Sequence, residues 1–294
     1  MIAIRVLALT VLYFICFSAV SAAVIPRFSE EPDPNQAGQL LAALLVVIFL
    51  NAVVFAYVIL NSRWTGWKLI LSIFFVCYGV TTVMGQIETA VFVTTLPPGL
   101  LPRLFLSGAL IAALFSPAAV LVLGKRKSKD ADDRQPSRLK LSANEWAIKL
   151  SILAIAYTVI YFSFGYFIAW KSAAVRTYYG GEDPGSFLAH MANVVRDTPW
   201  LFPLQALRAL LWVALAVPVI RMTKGEWWKA GLAVALLFGV VMNAQLLLPN
   251  PLMPHEVRMA HLWETSSSNF LFGWLVVFIL TRVGTSKNHR AGKN

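Results

Sequence analysis

The chain has 294 residues, of which 58% are hydrophobic and 13% charged, with a formal net charge of +11 and a mean hydropathy of +0.68. A water-soluble domain carries roughly a quarter charged side chains, so this balance points to a bilayer as solvent. It excludes a soluble enzyme, a disordered chain or a nucleic-acid binder as a reading of the whole.

A hydrocarbon core of about 30 Å needs roughly 20 mostly apolar residues per helix. Eight such runs occur, at 4–25, 38–61, 68–88, 102–124, 147–170, 199–220, 227–248 and 259–281. None shows the alternating pattern of a membrane barrel, so an all-α, polytopic bundle of eight transmembrane helices is expected. The first run ends in Ser-Ala-Val-Ser-Ala-Ala and admits a second reading as a cleavable signal peptide.

Lysine and arginine set the direction of threading. With the N-terminus cytoplasmic, inner segments hold 18 of the 25 basic residues, including Arg5, Arg63, Lys125, Lys149, Arg221, Lys224 and Arg282. Outer segments hold six, and Arg208 lies within a helix. Both termini are therefore expected in the cytoplasm, most simply of a bacterium whose inner, plasma membrane houses the chain.

Between the runs, Gly124 to Glu145 reads as a solvated, mixed-charge cytoplasmic connector. The outer stretch from Lys171 to Pro199 holds a turn cluster, Tyr178-Tyr-Gly-Gly-Glu-Asp-Pro-Gly185, and then a short amphipathic helix over 186–196. Its Phe187, Leu188, Met191, Val194 and Val195 are expected to pack on the bundle.

An internal repeat is also legible. Thr10-Val-Leu-Tyr-Phe14 resembles Thr158-Val-Ile-Tyr-Phe162, and Gln39 to Leu45 resembles Gln205 to Leu211. Trp67-Lys68 resembles Trp228-Lys229, and Leu96 to Pro102 resembles Leu248 to Pro254, in the same order along the chain. The expected organisation is a four-helix half over 1–124, a linker over 125–146, a second half over 147–282 and a basic tail over 283–294. Both halves begin on the same side, so the repeat is parallel, with a pseudo-two-fold axis along the membrane normal.

Charged groups within a span cost about 2.5 to 3.5 kcal/mol on insertion scales, so each needs a partner or water. Arg208 lies 13 residues before Arg221, about 20 Å above the inner boundary, and its side chain leans toward the outer face. Glu88 and Glu264 lie at a similar or higher level. An ion pair from Arg208 to one of them is expected, with Glu264, from the same half, favoured.

Other polar groups share this level: Gln86, Gln205, Asn243 and Gln245, with Asn51 deeper. In the eighth run, His261, Glu264, Thr265 and Ser268 share one helical face with Arg258 at its edge. Glu88, Arg208, Asn243, Gln245, Arg258, His261, Glu264 and Ser268 are thus the candidate ligand-binding residues. Interhelical hydrogen bonding is the competing reading for the neutral ones.

His255-Glu256 and His261 do not form H-E-x-x-H, since Met259 takes the second position, and no metal site is expected. Cys16 and Cys77 lie in apolar runs, and neither a phosphate loop, a dinucleotide fingerprint nor a nucleophile elbow occurs. No cofactor is expected. Gly79, Gly85 and Gly239 read as close-packing points, while Trp67, Trp227, Trp228, Trp170 and Trp200 read as interfacial belts.

Three functions remain. The first is an outward-facing polar pocket that binds or transports a small polar or amphipathic ligand, with Arg208 on an anionic group. The second is an outer-leaflet hydrolase or transferase on a lipid or lipid-linked substrate, with His261 or Glu264 as base. The third is an accessory subunit without activity of its own. The expected partners are the lipid bilayer and that ligand, and no nucleic acid.

Overall fold

The computed structural model describes residues 2–26, 34–93, 96–126, 139–249 and 252–282. The basic tail, most of the connector after Gly124 and, among the outer residues, Arg27 lie outside these. The described residues are helical apart from turns and one isolated antiparallel bridge, Ser62 with Thr223. Helix is what an apolar chain is driven to where no water can satisfy its amides.

The helices in chain order are α1 (Ile2–Val24), α2 (Pro34–Leu60), α3 (Gly66–Phe92), α4 (Leu100–Val122) and α5 (Ala143–Phe167). Two short ones follow, α6 (Ala173–Tyr179) and α7 (Phe187–Asp197). The chain ends in α8 (Leu201–Met222), α9 (Trp227–Leu236) and α10 (His255–Thr281). Seven of the helical segments are long and apolar enough to cross a membrane. The eighth expected run forms α10, also 27 residues long, but its polar first half, from His261 to Asn269, keeps it from meeting the same measure of apolarity.

Two of the helices are broken at the same level. A π-helical turn, Gly79–Val83, interrupts α3, and a second, Leu237–Val241, continues α9 before a 3₁₀ turn at Ala244–Leu247. Widened turns of this kind misalign backbone groups, and here a side chain answers them. Asn243 Nδ2 donates to the carbonyls of Phe238 and Gly239, at 2.9 and 3.0 Å.

In the packing, α1 lies against α2 and α4, and α5 against α8 and α10. α3 packs on α4 as α9 packs on α10, while α3 with α8 and α2 with α9 close the centre. The buried core is aliphatic and aromatic, with Phe55, Phe115, Trp212, Phe238 and Phe272 among its largest fully buried side chains. The expectation for Gly239 is met geometrically: a Cβ there would stand 2.9 Å from the carbonyl oxygen of Ser266 and 2.7 Å from Cβ of Phe270. Gly273 likewise faces the Ala235 backbone, at 2.7 Å.

One end of the bundle is strongly basic. Lys125 Nζ donates to the Ser62 carbonyl, Arg63 to that of Arg221, Arg5 to that of Leu123 and Lys149 to that of Leu280. These cations close the exposed carbonyl ends of helices, where a helix dipole favours positive charge. The opposite end carries α6 and α7.

Candidate functional site

Beyond both π turns, toward the α6–α7 end, the helices part around a cavity of about 490 Å³. That lies within the roughly 300–1,000 Å³ of typical small-molecule sites. The residues after the α3 break, Gly85, Glu88 and Thr89, form one wall, and Asn243 and Gln245, after the α9 break, form another. α5 contributes Tyr161, Phe162, Gly165 and Tyr166, and α10 contributes His261, Glu264 and Thr265.

α6 and α7 roof it. Ser172 and Ser186 cap their N-termini, accepting from the amides of Val175 and Ala189. Tyr166 Oη donates to the Gly185 carbonyl, and Tyr178 Oη donates to the Leu252 carbonyl at 2.8 Å, tying the roof to the walls. The inward-turned residues of the roof include Val175, Tyr179, His190 and Val194. The expectation for the amphipathic helix is therefore corrected in part. Phe187 stacks on Phe167 and meets Tyr166 edge-on, and Val194 is buried, but Leu188 and Val195 point outward, 79% and 58% exposed. Trp170, expected at an interfacial belt, lines the cavity, where it packs on His190.

The ion pair of Arg208 forms with Glu88, and the favoured Glu264 is otherwise engaged. Arg208 is 1% exposed; its Nη2 donates to Glu88 Oε1 and its Nη1 to Gln205 Oε1 at 2.9 Å, while its guanidinium lies 5.7 Å from the Tyr157 ring centroid. The pairing with Glu88 follows from the packing of α8 on α3 at the centre. Arg208 thus stands behind the cavity wall and presents Glu88 to the interior.

Glu264 is taken by its own helix neighbour. His261 Nδ1 lies 2.8 Å from Glu264 Oε2, and His261 Nε2 lies 3.1 Å from Tyr179 Oη, so that a Tyr–His–Glu chain runs from roof to wall. An ionised carboxylate only accepts, so the ring proton on that side sits on Nδ1, and in the neutral imidazole Nε2 is then the atom that accepts from the phenol. Burial, and then the neighbouring Tyr178, push the Tyr179 phenol above its ordinary value, which keeps it a donor. Burial also pushes the His190 imidazole below its ordinary value. Glu264 Oε1 has no hydrogen bond within the protein, and the side chain, 6% exposed, borders the cavity opposite the bare backbone of Gly165.

Of the eight candidates, Glu88, Asn243, Gln245, His261 and Glu264 border the cavity. Arg208 lies behind it. Arg258 turns away to donate to the carbonyls of Leu246 and Leu248, at 2.9 and 2.7 Å, closing the broken end of α9. Ser268 lies lower, beside a void of about 10 Å³ shared with Glu88, Tyr157 and Glu264. Sequence reasoning missed the aromatic walls and Tyr179, which carry no spacing signal. Gln205 as partner of Arg208 was legible from its i−3 position. Among the described residues, no three His, Cys, Asp or Glu side chains gather as a metal site would require. No family model, curated protein or solved structure matches the chain.

Proposed function

We propose that this is a plasma-membrane protein of eight transmembrane helices with cytoplasmic termini, whose cavity opens on the outer side and binds a small amphipathic ligand. The observation that carries the reading is the cavity itself, which has polar groups on an otherwise aliphatic and aromatic surface and lies at the end away from the basic helix termini. The positive-inside bias places that basic end in the cytoplasm. Counting α10 as the eighth span rests on its length and on its packing against α5, α8 and α9, which shelters its polar face from lipid.

Binding is favoured over transport because the way inward is filled. Trp212 is fully buried below Arg208, with Nε1 donating to Tyr157 Oη at 3.2 Å, and Phe238 packs against its ring.

The parallel four-plus-four organisation has support in one place above all. The Arg63 amide donates to the Met222 carbonyl at 2.7 Å, and the Lys224 amide to that of Asn61 at 2.8 Å. Asn61 and Met222, Ser62 and Thr223, and Arg63 and Lys224 are each 161 residues apart, the same offset that relates Trp67-Lys68 to Trp228-Lys229. A bridge in which Ser62 meets its counterpart Thr223, and the two flanking hydrogen bonds exchange into one another under the same offset, is what a two-fold axis between Ser62 and Thr223 produces. The offset also shifts the match between Gln39 and Gln205 by five residues out of register.

The Tyr179–His261–Glu264 chain favours a second reading, an outer-leaflet enzyme in which His261 moves a proton for a bound lipid substrate. Mass spectrometry of protein released from lipid nanodiscs separates these readings. Binding predicts a co-purifying molecule that is lost from a Gly165→Leu variant of normal fold and is released unaltered. Recovery of a chemically altered molecule favours catalysis, and no bound molecule in either protein contradicts both.

A further inference from the structure

We infer that the cavity takes an amphiphile with an ammonium head group; the inference rests on the binding reading and specifies its ligand. Among the described residues, those lining the cavity include three carboxylates, Glu88, Asp197 and Glu264, and no lysine or arginine; Asp197 is paired with Arg196 at 2.8 Å, so Glu264 is the carboxylate on which the inference stands. The nearest guanidinium, that of Arg208, is occupied by Glu88 and Gln205 behind the wall, so an anionic head group would meet carboxylates and no free cation.

An ammonium finds the converse. Glu264 is almost wholly buried and yet leaves Oε1 unbonded at the cavity surface, where the missing side chain of Gly165 clears the approach. That oxygen is open to the cavity, and in its largely apolar surround an ammonium supplies the counter-charge that no donor of the protein gives it. Tyr161, Trp170 and Tyr179 line the same cavity, and aromatic rings attract cations placed within about 6 Å of their faces. Tyr166 already holds the Lys171 ammonium, 4.7 Å from its centroid.

The tail is indicated by the roof. Leu188 and Val195 lie on the outward face of α7, and Phe167 and Trp200, at its two ends, are 61% and 48% exposed. An amphipathic helix with such a face lies in the bilayer interface, so the cavity beneath it sits where amphiphiles partition. Phe92 and Phe162 give the chain an apolar path.

The test is calorimetric titration of the protein in nanodiscs with decyltrimethylammonium, decyl sulfate and tetramethylammonium, all below micellar concentrations. The inference predicts saturable binding of decyltrimethylammonium, at least tenfold weaker binding of both other probes, and a loss of tenfold or more in Glu264→Gln. Gly165→Leu, which keeps every polar group, serves as a second variant and is expected to lose binding as well. Tighter binding of decyl sulfate than of the ammonium overturns the inference and leaves the pocket standing. Binding of tetramethylammonium equal to that of the decyl compound keeps the cation and overturns the amphiphile. Unchanged binding in both variants overturns the site, and no binding of any probe, with no co-purifying molecule, overturns the binding reading itself.

Discussion

Arg208 of α8 donates to Glu88 of α3, and the two ends of this pair differ in burial: the arginine side chain is 1% exposed and the carboxylate 30%. The difference makes the two deletions unequal. Glu88→Leu leaves a guanidinium enclosed without its counter-charge, which costs on the order of 3 kcal/mol. Arg208→Leu leaves a carboxylate that water in the cavity can solvate, and costs less. The double variant is expected to lie close to Arg208→Leu. Denaturant unfolding in detergent checks this, and additive losses would show that the two groups are not coupled.

His261 is held between Glu264 and Tyr179, which fixes its tautomer. Nitrogen-15 resonances of the imidazole are expected to show Nδ1 protonated and Nε2 accepting. Tyr179→Phe should move the Nε2 resonance and cost about 1 kcal/mol of stability, the worth of an ordinary hydrogen bond. An unchanged spectrum would mean that the phenol does not engage the ring.

His190 reports on the roof. Burial lowers its pKa, because a shielded imidazole loses more by becoming charged than a solvated one. Its folded value lies below its unfolded value, so the stability it contributes is present above the ordinary imidazole pKa of about 6.5 and is lost as pH falls through the folded value. An NMR titration should give a midpoint below that value, and Trp170→Ala, which removes a covering ring, should raise it. A midpoint unmoved by Trp170→Ala would place His190 in solvent already.

The contact of α9 with α10 depends on absent side chains. Gly239→Ala or Gly273→Ala places a Cβ within 3 Å of neighbouring backbone and is expected to destabilise by about 1–3 kcal/mol. Gly38→Ala meets nothing within 4 Å and should be neutral or stabilising, since alanine is the better helix former. Thermal unfolding of the three variants gives the comparison.

The helices were legible because lipid-facing sequence repeats one demand, an apolar run long enough to cross. Intramembrane charge made Arg208 and Glu264 conspicuous for the same reason. Their pairing was not legible, because it depends on which helices meet at the centre, and no local pattern carries that. The π turns at Gly79 and Leu237 have no composition cue, though they set where Glu88 and Asn243 face. Trp170 read as an interface residue and Tyr179 as part of a turn, since an aromatic residue near a span end suits a belt or a loop as well as a cavity wall. The offset of 161 residues that relates Trp67-Lys68 to Trp228-Lys229 also separates Ser62 from Thr223, which meet in an isolated bridge that no local pattern announced.

The central claim is a chamber at the outer face that admits ammonium groups. Cys16 and Cys77 are both buried, so Thr89→Cys sets a single accessible thiol on the cavity wall. Its reaction in intact cells with externally added trimethylammonioethyl and sulfonatoethyl methanethiosulfonates, each rate divided by that on a free thiol, measures access and charge preference together. The account predicts modification without permeabilisation, with the cationic reagent favoured at least tenfold. Modification only after permeabilisation, or equal normalised rates for the two reagents, would contradict it.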